Sequence, residues 1–488
     1  MGTQPSMIDN PKFRRTKIVC TLGPASAREE TIAAMIRAGM DVARLNTSHG
    51  TLDEHAELIA SVRRVAAAEG RPIAILMDLA GPKLRTGPNH AGQPVDLPAG
   101  AEVRLSTAVA SSTPKTVAVE YPRLTEDVMA GARVLLDDGK LELEVTRSSP
   151  DGLDCRVITG GQLGPQKGVC FPQSNLTMEA LTDHDRAAIQ AGVKGGVDFF
   201  GLSFVGNAGD VVRTRNFIAS LGADTPVIAK IERRQAVDNL DAILAEADGA
   251  MVARGDLGVE LPPEDVPVQQ RRIIAAAARN MIPVITATQM LESMVDSPRP
   301  TRAESSDVAH AVWDYSDALM LSEETAVGRY PVEAVAMMDR IIRRAEESAE
   351  VDIHPIIPTG TDDHSYVVAL AARRIVESDA NMRGIVCLTR SGYTAFLLSK
   401  VHPEPPIFAI TTNDAICRRL SLARSVVPLL GAVEDSSEHM LRAVDQVLIE
   451  GRHVAEGEEV VVVASFPFGV SGTTNFLKLH RVGESGVY

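Results

Sequence analysis

From Thr16 onward, short apolar or β-branched runs alternate with longer stretches in which apolar residues recur at helical spacing, the pattern of repeated βα units that build a parallel sheet. Eight such runs occupy the first two thirds of the chain: TKIVCTLG (16–23), DVARLN (41–46), IAILMDL (73–79), DFFGLSF (198–204), VIAKIE (227–232), AMVARGD (250–256), PVITATQ (283–289) and ALMLSEE (318–324). Each begins apolar and ends polar. The endings collect Thr21, Arg44 and Asn46, Asp78, Ser203, Lys230 and Glu232, Arg254 and Asp256, Thr288, and Ser322 and Glu324. One polar ending marks only where a strand stops. Eight in succession are the pattern of a (β/α)8 barrel, whose active site is built at the carboxyl ends of its strands.

Between the third and fourth runs the period changes. Segments such as AEVRLST, KTVAVE, ARVLLDD, LELEVT and LDCRVIT alternate apolar and polar residues between Gly, Pro and Asp, which predicts a small β unit inserted into the barrel. A Pro/Gly/Asp linker, HPIIPTGTDDHS (354–365), then leads to further strands GIVCLT, PIFAIT, SVVPLL and EVVVVAS. The predicted architecture is α/β. An N-terminal segment (1–15) precedes a TIM barrel (16–87 and 172–350), which carries an inserted small β barrel (88–171) and is followed by a C-terminal α/β domain (351–488).

A length of 488 residues suits about three domains. The chain is 45% hydrophobic and only 4% aromatic, a profile of globular α/β proteins rather than disordered or fibrous ones. A net charge of −15 argues against a general nucleic-acid surface, while leaving room for local phosphate pockets. Cys20, Cys155, Cys170, Cys387 and Cys417 are dispersed and odd in number, so they suggest neither a disulfide framework nor a zinc site, and a reducing cytoplasm fits. No apolar run is long enough to span a membrane, and the N-terminus lacks the apolar centre of a signal peptide. The opening Met-Gly-x-x-x-Ser matches an N-acylation pattern short enough to arise by chance.

The candidate chemistry centres on VIAKIE. Lys230 and Glu232 share one face of a strand, and buried charges need partners or a metal. A buried salt bridge that only fixes the fold is one reading. Asp256, at the end of the next strand, opens the other: two carboxylates from adjacent strands suit Mg²⁺, with substrate oxygens and water completing its octahedron. Gly255 allows a ligand close to the backbone. Arg44 and Arg85 offer forked donors for phosphate or carboxylate oxygens beside Gly-punctuated loops. No Walker A sequence occurs, and GGQLGPQKG (160–168) reads as a structural turn apart from Lys167. His184 and His364 read as loop residues rather than metal ligands. Mg²⁺, arginines and a lysine at one barrel mouth suggest phosphoryl transfer, where catalysis is positioning and charge neutralisation. Two rivals are a Mg²⁺-dependent barrel aldolase acting on pyruvate enolates and a metabolite-binding protein without turnover.

The motifs KIVCTLGPAS, ARLNTSHG, MDLAGPKLRTG, DDG (137–139), QKGV, IAKIE, DGAMVARGDLGVELP, TATQMLESM, PRPTRAE and LSEETAVGRYP together resemble those of pyruvate kinases. The resemblance runs from about Thr16 to the C-terminus. It implies a catalytic barrel, a mobile β lid and a C-terminal effector domain, usually in a homotetramer. By matched position it implies that Lys230 is the catalytic lysine and that Glu232 and Asp256 hold Mg²⁺, with Mn²⁺ as a substitute. Arg44, Lys230, Gly255, Asp256 and Thr288 would meet phosphoenolpyruvate. Asn46, Thr47, Ser48, His49, Arg85 and Lys167 would serve ADP or ATP, and Thr288, Ser322 and Glu324 are candidates for delivering a proton on the way to pyruvate.

Many family members read DTKGPEIRTG and bind K⁺ at positions matching Asn46, Ser48, Asp78 and the Leu79 backbone. Here the segment is DLAGPKLRTG, with Lys83 in place of glutamate, so K⁺ is expected not to be required. The alternative is that Lys83 is a solvated loop residue. Arg233, Gly206 and Glu323 also depart from the common pattern. In the C-terminal part, Thr389, Arg390, Ser391, Gly392 and Thr394 of LTRSGYTA resemble the family's loop for a phosphorylated effector, with FGVSGTTN (468–475) beside it. An ordinary strand-to-helix turn is the competing reading.

Overall fold

The computed structural model describes residues 13–348, 363–431, 437–465 and 474–484. The N-terminal acylation pattern, most of the expected linker and most of FGVSGTTN lie outside them. The linker's last residues, Asp363 to Ser365, instead open a helix, Asp363–Ser378.

Eight parallel strands close into a barrel in chain order. They are β1 (Lys17–Thr21), β2 (Val42–Asn46), β3 (Ala74–Asp78), β4 (Phe199–Leu202), β5 (Val227–Ile231), β6 (Gly249–Ala253), β7 (Val284–Ala287) and β8 (Ala318–Leu321). Every strand lies within one of the eight apolar runs, Gly249 excepted. Both faces are covered, which is why the runs are apolar almost throughout. Val19, Val42, Ala74, Leu76, Phe199, Ile228, Met251, Ile285, Ala287, Ala318 and Met320 form the core inside the barrel. Alternate residues such as Ala43, Leu45, Ile75, Met77, Val227, Ala229 and Ile231 pack on the helices. Period-two alternation carries the inner face upward from Val19 to Thr21, from Val42 to Arg44, from Leu76 to Asp78 and from Ile228 to Lys230 and Glu232. The charged endings thus point into the barrel mouth because the residues below them fill its interior. Three of the surrounding helices begin with reciprocal Thr/Glu or Thr/Asp capping boxes at Thr51, Thr182 and Thr301.

The insertion after β3 contains a two-stranded sheet, Val95–Leu97 with Gly161–Leu163, and a six-stranded sheet running from Val169–Cys170 to Thr116–Ala118. Leu97, Leu105, Val117, Val134, Leu143 and Leu163 share one apolar core between them. The chain leaves and re-enters the barrel side by side, for Arg85 bridges to Gly168 and the Thr86 N–H donates to the Lys167 carbonyl at 2.7 Å. The C-terminal sheet has five strands. The four expected ones are parallel, and a fifth, Phe476–Arg481, joins antiparallel at the edge. Its FLKLHR sequence is half-exposed and alternating, so a search for continuous apolar runs passes over it.

The C-terminal part closes the barrel floor. Leu422 enters the inner barrel core, the Lys17 ammonium donates to the Val426 carbonyl at 2.6 Å, and Lys400 makes a fully buried ion pair with Asp317 just before β8. Asp41 holds the other side of the floor, accepting from Arg14 at 2.8 Å and from the Ile18 N–H at 2.9 Å. Burial pushes the Asp41 carboxyl up, but Arg14, Lys17 and Arg71 outweigh it and hold its pKa below the ordinary value. A depressed carboxyl contributes stability that is fully present above about pH 4 and is lost as pH falls through the folded pKa. Asp41→Ala is therefore expected to cost about 1–3 kcal/mol at pH 7, since it leaves the buried Arg14 with Asp339 as its remaining carboxylate partner and the Ile18 N–H without its acceptor, and clearly less at pH 3. Urea unfolding at the two pH values checks this, and a cost independent of pH contradicts it.

Candidate active site

At the barrel mouth β2 and β3 are in register, with Arg44 opposite Leu76 and Asn46 opposite Asp78. Asp78 lies two residues beyond Arg44's partner on the ladder, on the same face, and Arg44 reaches it through both Nε (2.7 Å) and Nη2 (2.5 Å). Its Nη1 donates to Thr21 Oγ1 at 2.8 Å. The other Asp78 oxygen sits 3.2 Å from Lys230 Nζ. Gly201 of β4 makes this possible, because a Cβ there would stand 3.0 Å from Asp78 Oδ1. Lys230 Nζ completes its surroundings with Glu232 at 2.8 Å and Ser203 Oγ at 2.7 Å, and Ser203 in turn donates to the Leu79 carbonyl. Asp78 and Glu232 are each only 1% exposed. Burial works against the Lys230 charge, but Asp78 and Glu232 prevail and raise its pKa above the ordinary lysine value. Lys230 is a cation held in place, not a base.

The Glu232 pKa is also raised, which for a carboxyl disfavours the charged form. Burial raises its carboxyl, and Asp256 adds to the rise against the pull of Lys230. Glu232 and Asp256 line one cleft between barrel and insertion. Asp256 makes no hydrogen bond or ion pair among the described residues, so its carboxylate is open to a ligand. A buried carboxylate whose charge is disfavoured, beside a second that is open, fits a divalent cation that also binds substrate oxygens. No group of three metal-ligating side chains occurs among the described residues.

Thr288 follows β7 in a left-handed conformation, with φ of +70°. Its Oγ1 accepts from the Gly255 N–H at 2.8 Å, which ties the ends of β6 and β7 together. The buried Glu324 accepts from the Leu291 N–H at 3.0 Å and the Ser322 N–H at 2.6 Å, and burial raises its pKa. Ser322 Oγ is buried without a partner among the described residues. At the end of β2, Asn46 Oδ1 accepts from the Ser48 N–H, and in the following loop the Thr47 hydroxyl donates to the Asp78 carbonyl. Ser48 and His49 are exposed.

Arg85 and Lys167 meet at the root of the insertion, where Arg85 donates to the Gln166 carbonyl at 3.0 Å and Lys167 Nζ lies 3.1 Å from Asp137. Lys83 is exposed, lines the cleft with Glu232 and Asp256, and makes no ion pair among the described residues. His184 and His364 sit on helices rather than loops, and His184 bonds the Thr47 carbonyl at 3.0 Å. In the C-terminal sheet, Gly392 (φ +89°) donates its N–H to Thr389 Oγ1, Thr394 meets Thr474, and Arg390 and Ser391 are exposed.

Family models described as pyruvate kinase, barrel domain, and pyruvate kinase, alpha/beta domain, match residues 13–335 and 367–480. The chain belongs to the pyruvate kinase family. Pyruvate kinase 2 of Synechocystis sp. is 44% identical over 98% of this chain and 80% of its own length. The Mycobacterium tuberculosis pyruvate kinase is 42% identical over 97% of this chain and all of its own. The crystal structure of a pyruvate kinase from Cryptosporidium parvum superposes with a TM-score of 0.91 at 34% identity, covering 98% of both chains. Membership makes the chain an enzyme of phosphoryl transfer in a family that depends on metal.

Sequence reasoning placed Asp78 only near a monovalent ion and gave Ser203 and Asp137 no role. Their signal was weak because each acts through a partner distant in the chain. For a pyruvate kinase mouth built this way, Asp78→Asn is expected to lower kcat by about 10²-fold, the cost of misplacing reacting groups by about 1 Å, with the far-ultraviolet circular dichroism unchanged. Steady-state kinetics checks this, and a loss under threefold contradicts it.

Proposed function

We propose that the chain transfers the phosphoryl group of phosphoenolpyruvate to ADP, giving pyruvate and ATP in the final step of glycolysis. The observation that carries this reading is the Lys230 ammonium, fixed between Asp78, Glu232 and Ser203 beside the open Asp256 carboxylate. Glu232 and Asp256 would hold Mg²⁺, or Mn²⁺ in its place, which when bound neutralises phosphoryl charge and orients oxygens. Arg44, the Gly255 backbone, Asp256 and Thr288 bind phosphoenolpyruvate. Asn46, Thr47, Ser48, His49 and Arg85 take the nucleotide, with Lys167 delivered by the insertion acting as a lid. An oxygen of the ADP β-phosphate attacks phosphorus, the phosphorus–oxygen bond of the enol ester breaks, and Lys230 stabilises both the phosphoryl oxygens and the enolate left behind. Protonation of the enolate carbon then gives pyruvate, with Thr288, Ser322 and Glu324 as the delivery network.

The same reading covers the finer features. Lys83, exposed on the cleft wall without an ion pair among the described residues, supplies the positive charge that K⁺ provides elsewhere in the family. The turn at Thr389 to Gly392, with Thr394, takes a phosphorylated effector and makes residues 351–488 regulatory. The assembly is a homotetramer in the cytoplasm, without nucleic-acid or membrane partners. No helix among the described residues is long and apolar enough to cross a membrane.

Pyruvate formation measured with Mg²⁺ in Na⁺-only buffer is expected to be at least as fast as after adding K⁺, and Lys83→Glu is expected to create a K⁺ requirement. Turnover of the intact chain only with K⁺ contradicts the role of Lys83 while leaving the kinase reading in place.

A further inference from the structure

Ile285 and Ala287 face the barrel interior, so simple alternation would turn Thr288 toward the helices. The chain instead breaks at this point, with Thr288 at φ +70° and Gln289 at φ +55°. Consecutive left-handed residues that are not glycine, one of them β-branched, persist only where neighbouring groups impose them. One side chain supplies much of that constraint. Arg254, the residue after β6, donates from Nη2 to the Thr288 carbonyl at 2.6 Å and from Nε to the Ala287 carbonyl at 3.3 Å. It is anchored from behind by Nη1, which reaches Asp307 at 2.7 Å and Gln270 at 3.4 Å. The remaining Nη2 hydrogen meets Met290 Sδ at 2.7 Å.

A guanidinium has five N–H donors, and these five acceptors use all of them. Arg254 stands at the end of a barrel strand, where an arginine would ordinarily be taken for a phosphate ligand, yet it has no donor left for a substrate. Its contacts all fall on the β7 loop and on the two residues that brace it. Gly255, its immediate neighbour, donates to Thr288 Oγ1. The pair Arg254–Gly255 therefore grips Thr288 by backbone and side chain together.

We infer that Arg254 is a positioning residue for the reaction: anchored by Asp307, it holds Thr288 in the left-handed turn that seats its hydroxyl between the Gly255 N–H and the Ala287 carbonyl at the ends of β6 and β7. This rests on the reading that Thr288 acts on the substrate. A fork that satisfies two consecutive carbonyls and a carboxylate at once cannot be reproduced by a single ammonium, so Arg254→Lys keeps the charge and loses the geometry.

The test is a double-mutant cycle of Arg254→Lys with Thr288→Ala, read as kcat/KM for phosphoenolpyruvate and, separately, as KM for ADP. Arg254→Lys is expected to lower kcat/KM by about 10- to 100-fold when Thr288 is present and by no more than about threefold in the Thr288→Ala background, because coupled residues are not additive. KM for ADP is expected to stay within about twofold. Equal losses in both backgrounds, or a loss falling on the ADP KM, overturn the assignment of Arg254 alone. Thr288→Ala turning over as fast as the intact chain removes the role of Thr288 and the inference with it. If Arg254→Lys does not fold, Asp307→Asn takes its place in the cycle, with the same expected coupling and the same overturning result.

Discussion

The structure turns on one carboxylate. Asp78, almost fully buried, pairs through one oxygen with the Arg44 fork and through the other with Lys230. Two cations could not share the bottom of a dry mouth without it, since burying unpaired charges is prohibitive. Glu232 supplies a second negative charge beside Lys230, so the four groups balance among themselves. A balanced cluster keeps two cations fixed at the mouth, where the proposed reaction would develop phosphoryl and enolate charge, with little reorganisation needed.

The barrel provides the precision that the cluster needs. Arg44, Asp78, Lys230 and Glu232 sit on the first polar turns above a closely packed interior, and their aim follows from the register of β2 with β3 and of β5 with its neighbours. A shift of one residue in any of these strands would put the charges against the helices. Glycine at 201 has a plain steric role here, leaving space for the Asp78 carboxylate. The C-terminal part reinforces the opposite end, where Leu422, Lys400 and the Lys17–Val426 contact seal the floor beneath the chemistry. An ion pair such as Lys400–Asp317 is costly to bury, and its position between two parts of the chain fixes how they dock.

Much of this was legible in the sequence because a parallel barrel imposes a simple code. Strands covered on both faces read as apolar runs, and a mouth lined by their carboxyl ends reads as repeated polar endings. The charged pair in VIAKIE marked the strand face that carries the buried cluster. What was not legible depends on contacts between segments far apart in the chain. Ser203 between Lys230 and the Leu79 carbonyl, Asp137 on Lys167 and the shared oxygens of Asp78 have no local pattern to announce them. The edge strand Phe476–Arg481 escaped because it is covered on one side only, and His184 was misplaced because a polar helix start looks like a loop. The left-handed turn at Thr288 is invisible for a different reason: nothing in TATQ requires it, and the constraint comes from Arg254 at the end of the neighbouring strand β6.

The barrel holds the fixed cluster, and the insertion carries a further cation beside it. Lys167 and Arg85 are tied to the root of the insertion, whereas Lys230 is immobilised on three sides. The most direct test of that centre is pyruvate formation from phosphoenolpyruvate and ADP by the intact chain beside Lys230→Met. The account predicts turnover by the intact chain and a loss of about 10³-fold or more in kcat for the variant, as for removal of a donor to developing charge, with the KM values little changed. Turnover of Lys230→Met within tenfold of the intact chain would contradict it.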